Sequence, residues 1–211
     1  MMTESISDRT ELGGLVYVVD DDEAVRDSLK WLLEANRYQV ACFGDAEDFL
    51  AAFDPSRVAC LILDVRMPGM SGLELQEHLR SVQANLPILF ISGHGDVPMA
   101  VTTMKMGASD FIEKPFDEME LREAVERMLE SARVAGDLHR QQRQRAALLG
   151  RLTSRERQVL ECIVAGRLNK QIADDLSISI KTVEAHRANI MDKLDASTVA
   201  DLLRLALARN D

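Results

Sequence analysis

The chain has 211 residues, 46% of them hydrophobic, which is enough for two small domains with real cores; nothing nears the roughly 18 consecutive apolar residues of a membrane span. Three cysteines form no C-x-x-C pair and the four histidines are scattered, so neither a disulfide framework nor zinc-ligand spacing is present, and Cys42, Cys60 and Cys162 read as small buried hydrophobes. The net charge of -10 divides into -14 over residues 1–130, +3 over 131–150 and +1 over 151–211, which argues against nonspecific coating of nucleic acid but leaves room for a local DNA-binding face.

Residues 1–13 are polar, lack the apolar stretch of a signal peptide and are expected to form a disordered tail, with a cytoplasmic location following by default. Five short apolar runs then read as strands: Leu15–Val19, Tyr38–Phe43, Val58–Leu63, Ile88–Ile91 and Asp110–Ile112. Four are nearly continuous in apolar character, as parallel strands buried on both faces should be. Between and after them 23–36, 46–53, 72–81, 97–106 and 117–131 read as helices. Five β-α repeats predict an α/β domain over 14–131, a doubly wound parallel sheet with right-handed crossovers.

Residues 132–150 form a linker rich in Gln and Arg with little apolar periodicity, for which a solvated helix and coil are both open. From 151 to 211 no strand signal remains. Thr153-Ser154-Arg155-Glu156 matches a capping box before the stripe Val159, Leu160, Ile163, Val164, and Gly166 closes that helix. Asn169–Leu176 reads as a second helix, Ser179 caps a third reaching Leu194, and Ser197–Ala208 makes a fourth. An all-α four-helix domain is expected.

The chemistry gathers where strands end, since ligands of open α/β sheets sit beyond the carboxyl ends of the strands. Strand one runs into Asp20-Asp21-Asp22-Glu23, strand three ends at Asp64, strand four at Ser92, and strand five is followed by Lys114-Pro115. Carboxylates clustered at one sheet edge repel, and a hard divalent cation such as magnesium relieves that. A phosphoryl group on Asp64 would lie beside the metal, with Lys114 and Ser92 serving its other oxygens. Alone, the acidic run reads as a helix cap and Lys114 as a solvated lysine. Four matching features at four strand ends favour the chemical reading.

Residues 15–131 resemble the receiver domain of two-component response regulators. The resemblance rests on Val18-Val19-Asp20-Asp21-Asp22-Glu23, Leu61-Ile62-Leu63-Asp64-Val65-Arg66-Met67-Pro68-Gly69, Ile91-Ser92-Gly93-His94-Gly95 and Phe111-Ile112-Glu113-Lys114-Pro115. It implies that Asp64 accepts phosphate from a sensor histidine kinase. Asp20 and Asp21 would be the acidic pair, and the Arg66 backbone carbonyl would complete a magnesium shell with Asp64. Ser92, Lys114 and Phe111 would be the hydroxyl, lysine and aromatic that sense the phosphoryl group, and the Lys114-Pro115 bond would be cis. Gly93 leaves space beside Asp64 for a donor.

Residues 151–209 resemble the LuxR-type helix-turn-helix domain, through Leu152-Thr153-Ser154-Arg155-Glu156, Asn169-Lys170-Gln171-Ile172-Ala173 and Thr182-Val183-Glu184-Ala185-His186-Arg187-Ala188-Asn189-Ile190; the whole chain resembles the NarL/FixJ class, its FixJ side especially. Helical spacing sorts the third helix independently of family. Val183, Ile190 and Leu194 share one face, while Lys181, Ala185 and Ala188 point away, flanked by Glu184 and Asn189. The alanines would let the helix approach base edges in a major groove, with Lys181, Thr182, Arg187 and Lys170 as phosphate candidates. His186 reads as a packed or capping residue.

In the fourth receiver helix, Val97, Ala100, Val101 and Met104 form the stripe expected to face the sheet, leaving Met99, Thr103 and Met106 as a second, exposed stripe for a homodimer formed on phosphorylation. The lesser alternative is that Met99 and Met106 finish the core edge. The last helix is apolar beyond one stripe, which fits dimerisation of the output half. The expected function is phosphorylation-dependent binding of double-stranded promoter DNA to regulate, and by analogy activate, transcription, with RNA polymerase as a further partner. No enzyme activity is expected beyond self-phosphorylation and dephosphorylation, and no membrane association. An aspartyl phosphatase is the rival enzyme reading, but its haloacid-dehalogenase pattern wants a second acid where Arg66 stands. A sensor of a small lipid signal and a module contacting only protein are the other two.

Overall fold

A computed structural model describes residues 14–93 and 97–207 apart from the side chains of 97–99; the expected tail, residues 1–13, lies outside the described residues. The chain divides into two compact units, Met1–Asp137 and Leu138–Asp211.

The first unit alternates strands β1 (Leu15–Val19), β2 (Gln39–Phe43), β3 (Ala59–Asp64), β4 (Ile88–Ser92) and β5 (Asp110–Glu113) with helices α1 (Glu23–Ala35), α2 (Ala46–Ala52), α3 (Gly72–Ser81), α4 (Val97–Lys105) and the first part of α5 (Glu118–Gly150), whose remainder belongs to the second unit. All strand pairings are parallel, in the order β2-β1-β3-β4-β5. The three inner strands are buried along their whole length, which accounts for their unbroken apolar runs. Side chains alternate across the sheet. Leu15, Tyr17, Val19, Leu61 and Leu63 join Phe49 and Leu75 in one layer; Val16, Val18, Cys60 and Ile62 join Leu29, Leu33, Leu121 and Val125 in the other. The chain leaves β1 toward β2 on one side and β3 leads to β4 on the other, so the strand order reverses at β1 and β3, and the acidic residues stand at that crevice.

Helix, not coil, occupies residues 132–150, all of them within α5. In the first unit α5 buries Leu121, Ala124, Val125, Met128, Leu129 and Ala132; in the second, Leu148 and Leu149 pack against the core.

Helix α4 is turned relative to expectation. Val101 and Met104, assigned to the sheet face, are each 46% exposed, whereas Thr103, assigned to an exposed dimer stripe, is fully buried. Met106 is half-buried, and the side chain of Met99 lies outside the described residues. The physical reason is local satisfaction of a polar group. Thr103 Oγ1 donates to the Ala100 carbonyl at 2.9 Å, so its hydroxyl enters the core already paired and its methyl packs like that of valine. With apolar residues on nearly every side of this helix, the moment of the pattern could not identify the inner face.

The second unit continues through α6 (Ser154–Val164), α7 (Asn169–Leu176), α8 (Ile180–Lys193) and α9 (Val199–Leu207). Thr153 and Glu156 form the capping box of α6, and Gly166, at φ +74, supplies the left-handed turn that ends it. Val159, Leu160, Ile163, Ile172, Val183, Ile190, Leu194 and Leu202 make the core. Among the described residues no helix is long and apolar enough to cross a membrane.

Candidate functional site

Four strand ends build the site of the first unit. Asp20 follows β1, Asp64 closes β3, Ser92 closes β4 and Lys114 follows β5. Asp20, Asp64 and Ser92 are buried, at 2%, 9% and 4% exposure. Lys114 Nζ donates to Asp20 Oδ2 at 2.7 Å and to Asp64 Oδ1 at 3.0 Å, so one ammonium joins two carboxylates from strands that pair directly. The Lys114 backbone N–H donates to the Ser92 carbonyl at 2.8 Å, tying β4 to the lysine that serves β1 and β3. The Lys114-Pro115 bond is cis.

The electrostatics follow from burial. Desolvation pushes the Asp20 carboxyl up; the hydrogen bonds from Lys114 and the Asp22 N–H oppose it and do not cancel it. For Lys114 burial pulls down, but hydrogen bonds and charge from Asp20 and Asp64 outweigh it, and the ammonium ends raised. The two partners differ because Asp20 is almost wholly removed from water, whereas the lysine side chain keeps 21% of its exposure. A site that presses carboxylates together this way attracts cations. Hard oxygen donors of one or two carboxylates, with the remaining positions left to water, suit magnesium. Asp20 and Asp64 already converge on one cation, which is the fit a divalent ion needs. Asp21 is exposed, and among the described residues no group of three His, Cys, Asp or Glu side chains is placed for a metal.

The loop after β3 is shaped around Asp64. The Arg66 N–H donates to Asp64 Oδ2 at 2.7 Å, while its side chain is exposed. Gly69 takes φ +74, and Ser71 opens α3 with a capping box to Glu74. A Cβ on Gly72 would stand 2.2 Å from the Asp64 carbonyl oxygen, so only glycine lets α3 begin this close to the strand. At Gly93, by contrast, an added Cβ meets nothing within 4 Å. Phe111 is half-buried against the core layer that holds Leu61 and Leu63.

Sequence reasoning overlooked Arg26. Its Nη1 donates to the carbonyls of Asp20 at 2.8 Å and Asp21 at 3.0 Å. The available signal was a cation one helical turn after the acidic run, a spacing easily taken for a solvated helix face.

In the second unit Lys170, Lys181, Thr182, Glu184, Ala185, Ala188 and Asn189 are all exposed, Arg187 and His186 are half-buried, and Val183, Ile190 and Leu194 are buried. The face sorted by helical spacing is therefore the open one. Ser177, at φ 53, ends α7, and Ser179 caps α8 by accepting from the Thr182 N–H at 3.0 Å. Three charged residues brace the motif, none of them singled out beforehand for that role. Arg155 donates to the Leu176 carbonyl, Lys193 pairs with buried Glu156 at 2.7 Å, and Arg145 donates to the Leu205 carbonyl at 2.6 Å and the Ala206 carbonyl at 3.1 Å.

Comparison with known proteins matches these two units to two families. Residues 16–126 match the response regulator receiver domain and residues 150–206 the luxR family of bacterial regulatory proteins. The transcriptional regulatory protein FixJ of Rhizobium meliloti is 48% identical, over 92% of this chain and 95% of its own. The response regulator protein TodT of Pseudomonas putida is 44% identical, over 95% of this chain and 87% of its own. The solved structure of the response regulator StyR superposes with a TM-score of 0.88 at 44% identity, covering 92% of this chain and 98% of that one. With both domains matched and relatives similar over nearly their whole length, the chain belongs to the FixJ-like response regulators, transcriptional regulators with a receiver domain and a LuxR-type helix-turn-helix domain.

Proposed function

We propose that Asp64 is the phosphoacceptor of this regulator and that its phosphorylation by a sensor histidine kinase controls binding of the α8 face to promoter DNA. The observation that carries this reading is the buried Asp64 carboxylate at the end of β3, 3.0 Å from Lys114 Nζ. An Asp64 carboxylate oxygen attacks phosphorus, the bond to the donor imidazole nitrogen breaks, and the electron pair stays with the imidazole, which takes up a proton. Asp20, Asp21, Asp64 and the Arg66 carbonyl would hold magnesium, which would supply neutralisation of the phosphoryl charge. Lys114 is already bonded to Asp64 and turns to a phosphoryl oxygen as the carboxylate becomes an acyl phosphate. Ser92 donates its hydroxyl to another oxygen. The open space at Gly93 admits the donor.

The signal leaves through Ser92, Phe111 and α4 by biasing two packings of the receiver, which requires only that the phosphoryl group bind them unequally. The exposed Val101 and Met104 of α4, with β5, form the surface on which the phosphorylated protein dimerises. Lys170, Lys181, Thr182 and Arg187 neutralise phosphates while Glu184, Ala185, Ala188 and Asn189 face base edges. The DNA-binding domain, 151–211, carries a net charge of only +1, so one copy binds weakly and a dimer on two half-sites binds by effective concentration. The receiver spans 14–131 and 132–150 connects the two. Bound at a promoter in the cytoplasm, the dimer contacts RNA polymerase and activates transcription. Self-phosphorylation and dephosphorylation are its own chemistry.

Intact mass after incubation with acetyl phosphate and magnesium tests this. One phosphoryl adduct on the native chain and none on Asp64→Asn supports it; an adduct on both overturns the assignment of Asp64.

A further inference from the structure

The acidic run Asp20-Asp21-Asp22 has three backbone carbonyls, and one residue binds them all. Arg26 Nη1 donates to the Asp20 carbonyl at 2.8 Å and to the Asp21 carbonyl at 3.0 Å, and the Arg26 backbone N–H donates to the Asp22 carbonyl at 3.1 Å. The guanidinium lies against Gly44 after β2, where a Cβ would stand 3.7 Å from Nη1. Beside it, the Asp20 N–H donates to the Phe43 carbonyl at 3.3 Å. The loop is thus pinned between α1 and the end of β2.

The site has two cations with opposite habits. Lys114 binds carboxylate oxygens and so stands where a metal would compete with it. Among the described residues Arg26 donates to peptide oxygens of this same run, leaving the carboxylates available. Its positive charge offsets the mutual repulsion of three adjacent acids without occupying their donor atoms. Both bonds leave one nitrogen, Nη1, whose two N–H groups are fixed in the guanidinium plane, whereas an ammonium rotates about its own bond and sits on a shorter stem.

We infer that Arg26 is a positioning residue for cation binding: it holds the β1–α1 backbone in the conformation from which Asp20 and Asp21 serve magnesium. The inference rests on the proposed magnesium-dependent phosphorylation. Outer groups that orient metal ligands typically change affinity by about 10–100-fold when removed.

Charge and geometry make opposite predictions. Loss of a nearby positive charge by itself would tighten binding of a dication, whereas loss of the clamp weakens it. Arg26→Lys keeps the charge and loses the planar Nη1 group that joins the two carbonyls; Arg26→Met loses both. The test is magnesium titration of the full chain by calorimetry, with phosphorylation rate by acetyl phosphate measured across magnesium concentrations. The expected result is about tenfold weaker magnesium binding in Arg26→Lys, a smaller net loss in Arg26→Met because removal of the charge partly offsets loss of the clamp, and recovery of the native rate at saturating magnesium in both. Native affinity in Arg26→Lys, or tighter binding in Arg26→Met, overturns the inference while leaving Asp64 phosphorylation standing. A native chain that neither binds magnesium nor forms the adduct overturns the underlying reading and this inference with it.

Discussion

Gly72 and Asp64 touch through backbone: a single added methyl on Gly72 would lie 2.2 Å from the Asp64 carbonyl oxygen. The contact is between main-chain atoms, so no side-chain rotation relieves it. Gly72→Ala must therefore move either the start of α3 or the strand end that carries the acceptor carboxylate. The expected cost is about 1–3 kcal/mol of stability, as for other overpacked positions. Adduct formation should slow by more than the loss of folded protein explains. Urea unfolding by circular dichroism and a time course of intact mass separate the two effects.

Lys114→Met removes the ammonium that joins Asp20 and Asp64 and leaves two buried carboxylates facing each other. Phosphorylation at saturating magnesium should fall by about 100-fold or more, the usual loss for an electrostatic group aimed at developing charge. The variant should also bind magnesium more tightly than the native chain, because the competing cation is gone. Calorimetry reads that sign directly.

Glu156 is 3% exposed and its carboxyl is held down from 4.5 to about 2, first by the Lys193 ammonium and then by the Thr153 N–H. Because the folded value lies below the unfolded one, its stabilisation is complete above pH 4.5 and is lost as pH falls toward 2. Glu156→Gln should therefore lower stability near pH 7 and leave the two proteins converging near pH 2. Trp31, the single tryptophan, lies in the first unit, so amide hydrogen exchange over residues 151–207 is the appropriate probe.

On α4 the exposed pair Val101 and Met104 and the buried Thr103 should respond differently. Met104→Lys should leave the phosphoryl adduct intact and keep the phosphorylated chain monomeric in sedimentation. Thr103→Lys should unfold or loosen the receiver itself, since a charge would enter the core without a partner. Dimerisation of phosphorylated Met104→Lys at native strength would remove this surface from the mechanism.

On α8, Lys181→Ala should weaken binding to specific and nonspecific DNA alike and lower the salt slope by about 0.9 per copy. Asn189→Ala should instead relax preference at one base pair, by about 1–3 kcal/mol. Fluorescence anisotropy at several salt concentrations distinguishes a phosphate contact from a base contact.

The strands were legible because both faces of the inner three are buried, so their apolar runs have no competing reading. Capping chemistry made helix ends legible as well: Thr153 with Glu156, Ser179, and Gly166 each satisfy terminal groups with nearby atoms. Helix α4 defeated the same reasoning. Its buried threonine hydroxyl is paired within its own turn, and hydropathy scores the residue by type and not by the bond it makes.

Local order along the chain decided the elements of both domains, the parallel sheet and the four strand ends where chemistry collects, because each depends on spacing over a few residues. Tertiary structure alone decided which atoms meet there: that Lys114 reaches Asp20 across 94 residues and Asp64 across 50, that Gly72 abuts the Asp64 carbonyl, and that Lys193 brings its charge to buried Glu156 across 37. It also turned Arg26, six residues from Asp20, inward onto the acidic backbone instead of outward to water. Such contacts depend on how the strands stack and how each helix is rotated about its axis, and these are set by packing of the whole core, not by any one segment.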